Sequence, residues 1–308
     1  MSGVPPSQRL SIGELFVSLA VGLMFFLMPN DAQNQFDEAG IAIGSVFICS
    51  LITTLALLLI VKHYTAIGSA LLFMAVMQVV SFIFSTIYGI INKGDNYWPG
   101  FSEYQLITIF VLWTVPFFTG VVFRLLSLGS RDTTHYRRNF ARFMSLSLRA
   151  LIIIYILVIV FEMIIPEKPN IASERIVDFI PLDRIRSCLD GTHDNGTMYI
   201  MWHCLILAPL TFSLLTLNPG IKWWHLLIIC VSFGFTIELL QYSLNTSTAC
   251  LDDMIMYLIG GLAGALLKYF IDLIRNAFTG GEEKLMLSVE YIPKKSVERK
   301  NSTAVIPD

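Results

Sequence analysis

The stretch TIELLQYSLNTSTACLDDMIMYLIGGLAGALL, residues 236–267, holds two apolar runs joined by a short polar turn. The first run carries Glu238, Gln241 and Tyr242 at i, i+3 and i+4, a spacing that places all three on one helix face. The second opens with Asp252 and Asp253. Carboxylates this close to hydrocarbon are costly, and ionisable groups within membrane segments usually mark a functional site. The stretch therefore predicts two membrane helices with polar groups at their shared end. Gly260-x-x-x-Gly264 in the second run permits close approach of another helix. The expected neighbour is the preceding span; a homodimer face is the alternative.

The rest of the chain continues this pattern. Of 308 residues, 55% are hydrophobic and 14% charged, against roughly 25% charged in a soluble domain. Mean hydropathy is +0.67. A spanning helix needs about 20 mostly apolar residues. Stretches near 12–30, 41–61, 67–91, 104–127, 145–165, 199–218, 222–244 and 253–274 qualify. They are continuous rather than alternating, which excludes a barrel pattern. The predicted fold is all-α, a polytopic bundle of about eight transmembrane helices. The first run follows Arg9 without a small-x-small cleavage signal and is read as a retained span.

Sidedness follows from lysine and arginine placement. Arg131, Arg137, Arg138 and Arg142 cluster between the fourth and fifth spans, flanked by Arg124 and Arg149. If that segment is cytoplasmic, alternation puts sixteen of the 21 basic residues inside, leaving Lys93, Lys168, Arg175, Arg184 and Arg186 outside. Both termini are then cytoplasmic, and residues 276–308 form a polar, flexible tail. Trp223 and Trp224, and on the other side Trp98, Phe101 and Tyr104, fall at span ends, where such rings prefer the headgroup level. The shared end bearing Glu238, Gln241, Asp252 and Asp253 faces outward, as does the 166–198 loop.

The acids admit two readings. Glu238 lies about 10 Å below the end of its helix, at roughly 1.5 Å per residue. A protonated Glu238 beside an ionised Asp253 would form a workable acid/base pair, so these two are the catalytic candidates. Equally, the aspartates suit the capping of their own helix start, and Glu238 and Gln241 suit interhelical hydrogen bonding. Glu162 sits where it could join the cluster, whereas Glu14 lies near the cytoplasmic edge. His193, Asp194 and His203 lack the ligand spacing of a zinc site, with no HExxH or CxxC present, so no metal is expected. Nucleophile elbows, Walker loops and Rossmann fingerprints are absent, and no cofactor is expected. A net charge of −2 offers no basic footprint for nucleic acid. Cys49, Cys204 and Cys230 fall within spans; Cys188 and Cys250 fall in outer loops, where a disulfide could tie the long loop over the acid pair or both could stay free.

These elements resemble the VanZ-like family of bacterial membrane proteins, associated with teicoplanin resistance. The family's Asn-x-Ile-Pro-Phe element stands here as DFIPL, residues 178–182, with Pro181 kept and Leu182 replacing phenylalanine. Its proline-bearing helix stands as HCLILAPLT, residues 203–211, with Pro209 kept and His203, Leu207 and Thr211 replacing the usual types. Glu238-Leu239-Leu240-Gln241 is intact, as are Asp252, Asp253 and Gly260. Ser247 stands where arginine is usual, Cys250 where the first aspartate is usual, and Tyr257 where asparagine is usual. The chain is thus similar to a divergent member over about 145–275, with residues 1–144 an N-terminal four-helix unit of unassigned role. The resemblance implies a cell-envelope role in the bacterial cytoplasmic membrane. On the first functional reading, Glu238, Gln241, Tyr242, Asp252 and Asp253 bind a lipid or amphipathic ligand, as an accessory or glycopeptide-resistance protein would. The alternative is an intramembrane enzyme acting on lipid-linked envelope material. A transporter, for which Pro116 and Pro209 are kink candidates, ranks last.

Overall fold

The computed structural model describes residues 12–35, 39–61, 63–93, 103–127, 134–164, 177–178, 180–190, 196–218, 220–244 and 249–279. The expected tail beyond 279, His193, Asp194 and the side chain of Glu162 lie outside the described residues. Long apolar runs in a lipid setting must satisfy every backbone group internally, and helices do so. The chain accordingly forms α1 (Ile12–Gln35), α2 (Ala39–Ala56), α3 (Tyr64–Lys93), α4 (Glu103–Ser127) and α5 (Thr134–Ile159). After them come α6 (Asp183–Leu189), α7 (Gly196–Leu205), α8 (Ala208–Leu217), α9 (Trp223–Leu244) and α10 (Leu251–Thr279). Two short strands, β1 (Val177–Asp178) and β2 (Ala249–Cys250), pair in parallel, Val177 with Ala249 and Asp178 with Cys250. α2 and α5 each end in a π turn, Leu57–Val61 and Val160–Ile164.

The result is an all-α polytopic bundle. Among the described residues, seven segments are long and apolar enough to cross a membrane. An eighth, Ile12–Met28, is apolar but shorter. The sixth span is two helices, α7 and α8, broken at Ile206 and Leu207. Pro209 lies in the first turn of α8, where its missing N–H removes no helical bond. Pro116, the other kink candidate, sits inside the uninterrupted α4. Hydroxyls within the spans bond back onto their own helices, as Thr54 does to the Ser50 carbonyl at 2.7 Å and Ser213 to the Pro209 carbonyl at 2.8 Å.

The two larger apolar cores share α5. The first gathers Phe25, Leu71 and Met74 with Tyr64, Trp113, Phe117, Phe140 and Phe143. Tyr64 meets Phe140 edge-on at 5.5 Å, and Trp113 stacks on Phe117 at 4.7 Å. The second gathers Ile159, Met163 and Ile164 from the end of α5 with Ile206, Leu207, Leu210, Leu226, Cys230, Ile237 and Tyr257. A division at 144 therefore falls within a continuous helix whose first part packs into the N-terminal core and whose end packs into the C-terminal one.

The glycines of α10 correct one expectation. A Cβ at Gly260 would meet the Cys204 carbonyl oxygen, and one at Gly264 would meet Thr211 Oγ1 and the Ala208 carbonyl oxygen. Gly260 and Gly264 therefore pack against the broken sixth span, not the seventh. It is Gly261 that faces the seventh span, at Cys230. The i, i+4 pair needs a neighbour whose backbone comes close, and α7 and α8 supply it on either side of their break.

Candidate functional site

The C-terminal ends of α5 and α9 and the N-terminal ends of α7 and α10 meet at one end of the bundle. Residues 177–178 and 180–190 lie across them as a strap. Its attachment begins with Asp252, which is 0% exposed. Asp252 Oδ1 accepts the Leu182 N–H at 2.6 Å, and Oδ2 accepts the N–H groups of Arg184 at 2.9 Å and Ile185 at 3.1 Å. The strap helix α6 has no side-chain cap of its own; Leu182, at its N-cap, is left-handed with φ 66°. Asp252 thus caps α6 from another element, satisfying first-turn amides that would otherwise be orphaned. The expected choice between capping its own helix and contacting a ligand resolves differently: the Asp252 oxygens are committed to the strap.

Asp253, 3% exposed, points to the other side of the turn. Its Oδ1 accepts the Tyr199 hydroxyl at 2.6 Å, and its Oδ2 faces Arg184 Nη1 at 3.3 Å. The Arg184 guanidinium also lies 5.1 Å above the Tyr199 ring. Burial works against the Arg184 charge, but Tyr199 and Asp253 outweigh it and raise its pKa. His203 stacks beside these groups, 3.9 Å from the Tyr199 ring and 5.8 Å from that of Tyr257, with Nδ1 2.9 Å from the Tyr199 carbonyl oxygen. Among the described residues, no group of three His, Cys, Asp or Glu side chains is placed to hold a metal ion.

Glu238 and Gln241 come from the buried face of α9. Gln241 Nε2 donates to the Met163 carbonyl at 2.9 Å. Met163 belongs to the π turn ending α5, where the regular helical ladder is interrupted. Glu238 Oε2 accepts the Cys250 N–H at 2.9 Å, which fixes β2 over the end of α9. Glu238 Oε1 has no partner within hydrogen-bonding geometry, although the Tyr257 phenol sits beside the same carboxylate. Glu238 is 5% exposed and stands on the wall of a groove of about 190 Å³. Asp178, Phe235, Leu239, Tyr242 and Met254 complete most of that wall.

Of the two alternatives for Cys188 and Cys250, the free one holds: both are buried thiols, unbridged, whose pKa values burial raises. Cys250 is held by its strand pairing and Cys188 lies in α6 against Gly196. Tyr242, half-buried, reaches the groove rather than the acid pair. Of the acids singled out in the sequence, Glu238, Asp252 and Asp253 do converge.

Arg184, Tyr199, His203 and Tyr257 were not anticipated as a unit. Their signal is i, i+4 spacing: Tyr199 with His203, and Asp253 with Tyr257, share helix faces. Arg184 carries no such signal, because it reaches Asp253 from α6, 69 residues away in the chain. It supplies a guanidinium to the acid pair although Ser247 occupies the usual arginine position of the turn.

Residues 148–272 match the family model described as VanZ/LLP1. No curated protein and no solved structure matches the chain. The matched segment begins within α5 and ends in α10, enclosing the strap, the acid pair and the groove, and this part of the chain is VanZ-like.

Proposed function

We propose that the VanZ-like part of this multi-pass membrane protein binds a lipid or other amphipathic envelope ligand in the groove between α9 and the start of α10. The observation that carries the reading is the groove itself: an apolar cleft of about 190 Å³ walled by Phe235, Leu239 and Met254, beside the buried Glu238. Phe235, Leu239 and Met254 offer an apolar wall to a ligand chain. Positive-inside sidedness puts this end of the bundle at the outer face of the cytoplasmic membrane, where a cell-envelope accessory or glycopeptide-resistance role, including toward teicoplanin, would act.

The second reading, acid/base catalysis on a lipid-linked substrate, gains from Arg184 standing 3.3 Å from Asp253. It ranks second because Arg184 and Tyr199 already engage Asp253, and Asp253 is not among the groove-lining residues. Glu238→Gln and Glu238→Ala separate the two, with mass spectrometry of co-purifying amphiphiles and of added lipid-linked material as readouts. Binding should survive Gln in part and fail with Ala. Catalysis should fall about 10²–10⁴-fold with either. Full retention of both readouts in both variants would overturn both readings at this residue.

A further inference from the structure

α5 carries Arg137, Arg138, Arg142 and Arg149 and no aspartate or glutamate. Arg149 stands apart from the others. It lies at the middle of the membrane-length segment Asn139–Ile159, yet it is exposed on the surface of the bundle. Among the described residues it has no ion-pair or hydrogen-bond partner. Hydrocarbon penalises a lone charge, so ionisable groups within a span face the bundle interior or a partner. An unpartnered guanidinium on the surface of a span therefore points to an anion from outside the chain. The face around Arg149 is ordered along the helix axis. At about 3.6 residues per turn, Arg142, Ser145, Arg149, Ile152, Ile153 and Ile156 share one side of α5. Arg149 and Ile156 are exposed and the others half-buried. The polar members lie toward the start of α5, which positive-inside sidedness makes cytoplasmic, and the isoleucines lie deeper in the span. Helical side chains lean toward the helix N-terminus, so Arg149 reaches toward the level of Arg142, about 10 Å away along the axis. The strip also follows the seam of the fold: Ile153 packs on the first apolar core and Ile152 on the second.

We infer that this face of α5 holds an anionic phospholipid of the cytoplasmic leaflet, with its phosphate between Arg149 and Arg142 and an acyl chain along Ile152, Ile153 and Ile156. The site lies toward the other end of the bundle from the groove and does not depend on it. A guanidinium presents a fork of donors matched to phosphate oxygens. Long basic side chains bend to headgroup level while their stems stay in hydrocarbon, and basic pockets on the cytoplasmic side of membrane helices take anionic headgroups in this way. A second copy of the chain is the poorer occupant. A two-fold contact on this face would set arginine against arginine, with no acid on α5 to balance them. A free phosphate would leave the isoleucine strip uncovered.

The test uses the full chain in a neutral maltoside detergent, with native mass spectrometry of the first adduct formed with dioleoylphosphatidylglycerol, dioleoylphosphatidylcholine or inorganic phosphate. Phosphatidylglycerol should exceed phosphatidylcholine by about tenfold, the worth of one charge-assisted bond. Arg149→Gln should erase that preference, and Arg149→Lys, which keeps the charge without the fork, should keep part of it. Arg149 belongs to neither apolar core, so both substitutions leave the fold in place. Arg186→Gln, which removes an exposed guanidinium of α6, should leave the preference unchanged. Equal adducts of the two lipids, or a phosphatidylglycerol preference that survives Arg149→Gln, would overturn the site. A preference lost equally in Arg186→Gln would reduce it to overall charge and overturn it as well. Inorganic phosphate bound as well as phosphatidylglycerol, and lost in Arg149→Gln, would overturn the lipid source. A dimer that Arg149→Gln dissociates would overturn the lipid in favour of a second copy.

Discussion

Replacing Asp252 by alanine should release the strap while leaving the bundle intact. Asp252 accepts three backbone N–H groups, from Leu182, Arg184 and Ile185. Hydrogen bonds to a charged group contribute about 1.5–3 kcal/mol each. Three at the lower end sum to about 4.5 kcal/mol. Part is regained because Leu182 is exposed and Arg184 half-buried, so their amides reach water once the strap lifts. Taking about 3 kcal/mol as the remainder, the open strap gains about 10²-fold in population, since 1.36 kcal/mol is a factor of ten. Cys188 reports the opening: its thiol is 4% exposed, and burial raises its pKa, so the closed protein presents little thiolate near neutral pH. N-ethylmaleimide labelling followed by peptide mass spectrometry should show Cys188 reacting about 10²-fold faster in Asp252→Ala, if reaction proceeds through opening. Cys230, 2% exposed in the C-terminal core, should stay at its wild-type rate. An unchanged Cys188 rate would mean that Asp252 does not hold the strap. A parallel rise at Cys230 would mean that it holds the whole bundle.

The Arg184–Asp253 contact predicts a coupling measurable by a double-mutant cycle. Arg184→Met leaves Asp253 with the Tyr199 hydroxyl, and Asp253→Asn leaves the guanidinium over the Tyr199 ring. Thermal unfolding in detergent should give a coupling of about 1–3 kcal/mol, and additive effects would remove the pair from the account. The glycines predict a contrast of sign. Gly260→Ala forces α10 off the Cys204 carbonyl and should cost about 1–3 kcal/mol by overpacking or more by displacing the helix, whereas Gly44→Ala, with nothing within 4 Å of the new Cβ, should be neutral or gain up to about 1 kcal/mol of helix propensity. Equal melting temperatures for the two variants would refute the close approach of α7 and α8 to α10.

What the sequence made legible follows from the range of the interactions involved. The spans are a local property: a run such as ALLFMAVMQVVSFIF has no soluble alternative, and α3 extends through it from Tyr64 to Lys93. The acids at the α9–α10 junction were visible for the same reason, because a carboxylate beside hydrocarbon stands out by itself. Their division of labour was not visible. Asp252 and Asp253 are adjacent in the chain, and helical geometry turns successive side chains about 100° apart, so one meets the strap amides and the other meets Tyr199 and Arg184. The strap is placed by contacts spanning 67 to 70 residues, and no local pattern encodes that separation. The glycine pair shows the same limit: the spacing at 260 and 264 announces a close neighbour, but only the packed bundle identifies it as the broken helix pair. That break has a consequence for the site. It lets both α7 and α8 lie against the glycine backbone of α10, and Tyr199, four residues before His203 on α7, meets Asp253 of the same α10 at 2.6 Å. The glycines of α10 and the acids at its start thus act on one helix from two ends, so a side chain introduced at Gly260 should weaken the Tyr199–Asp253 contact two turns away as well as the packing it directly disturbs.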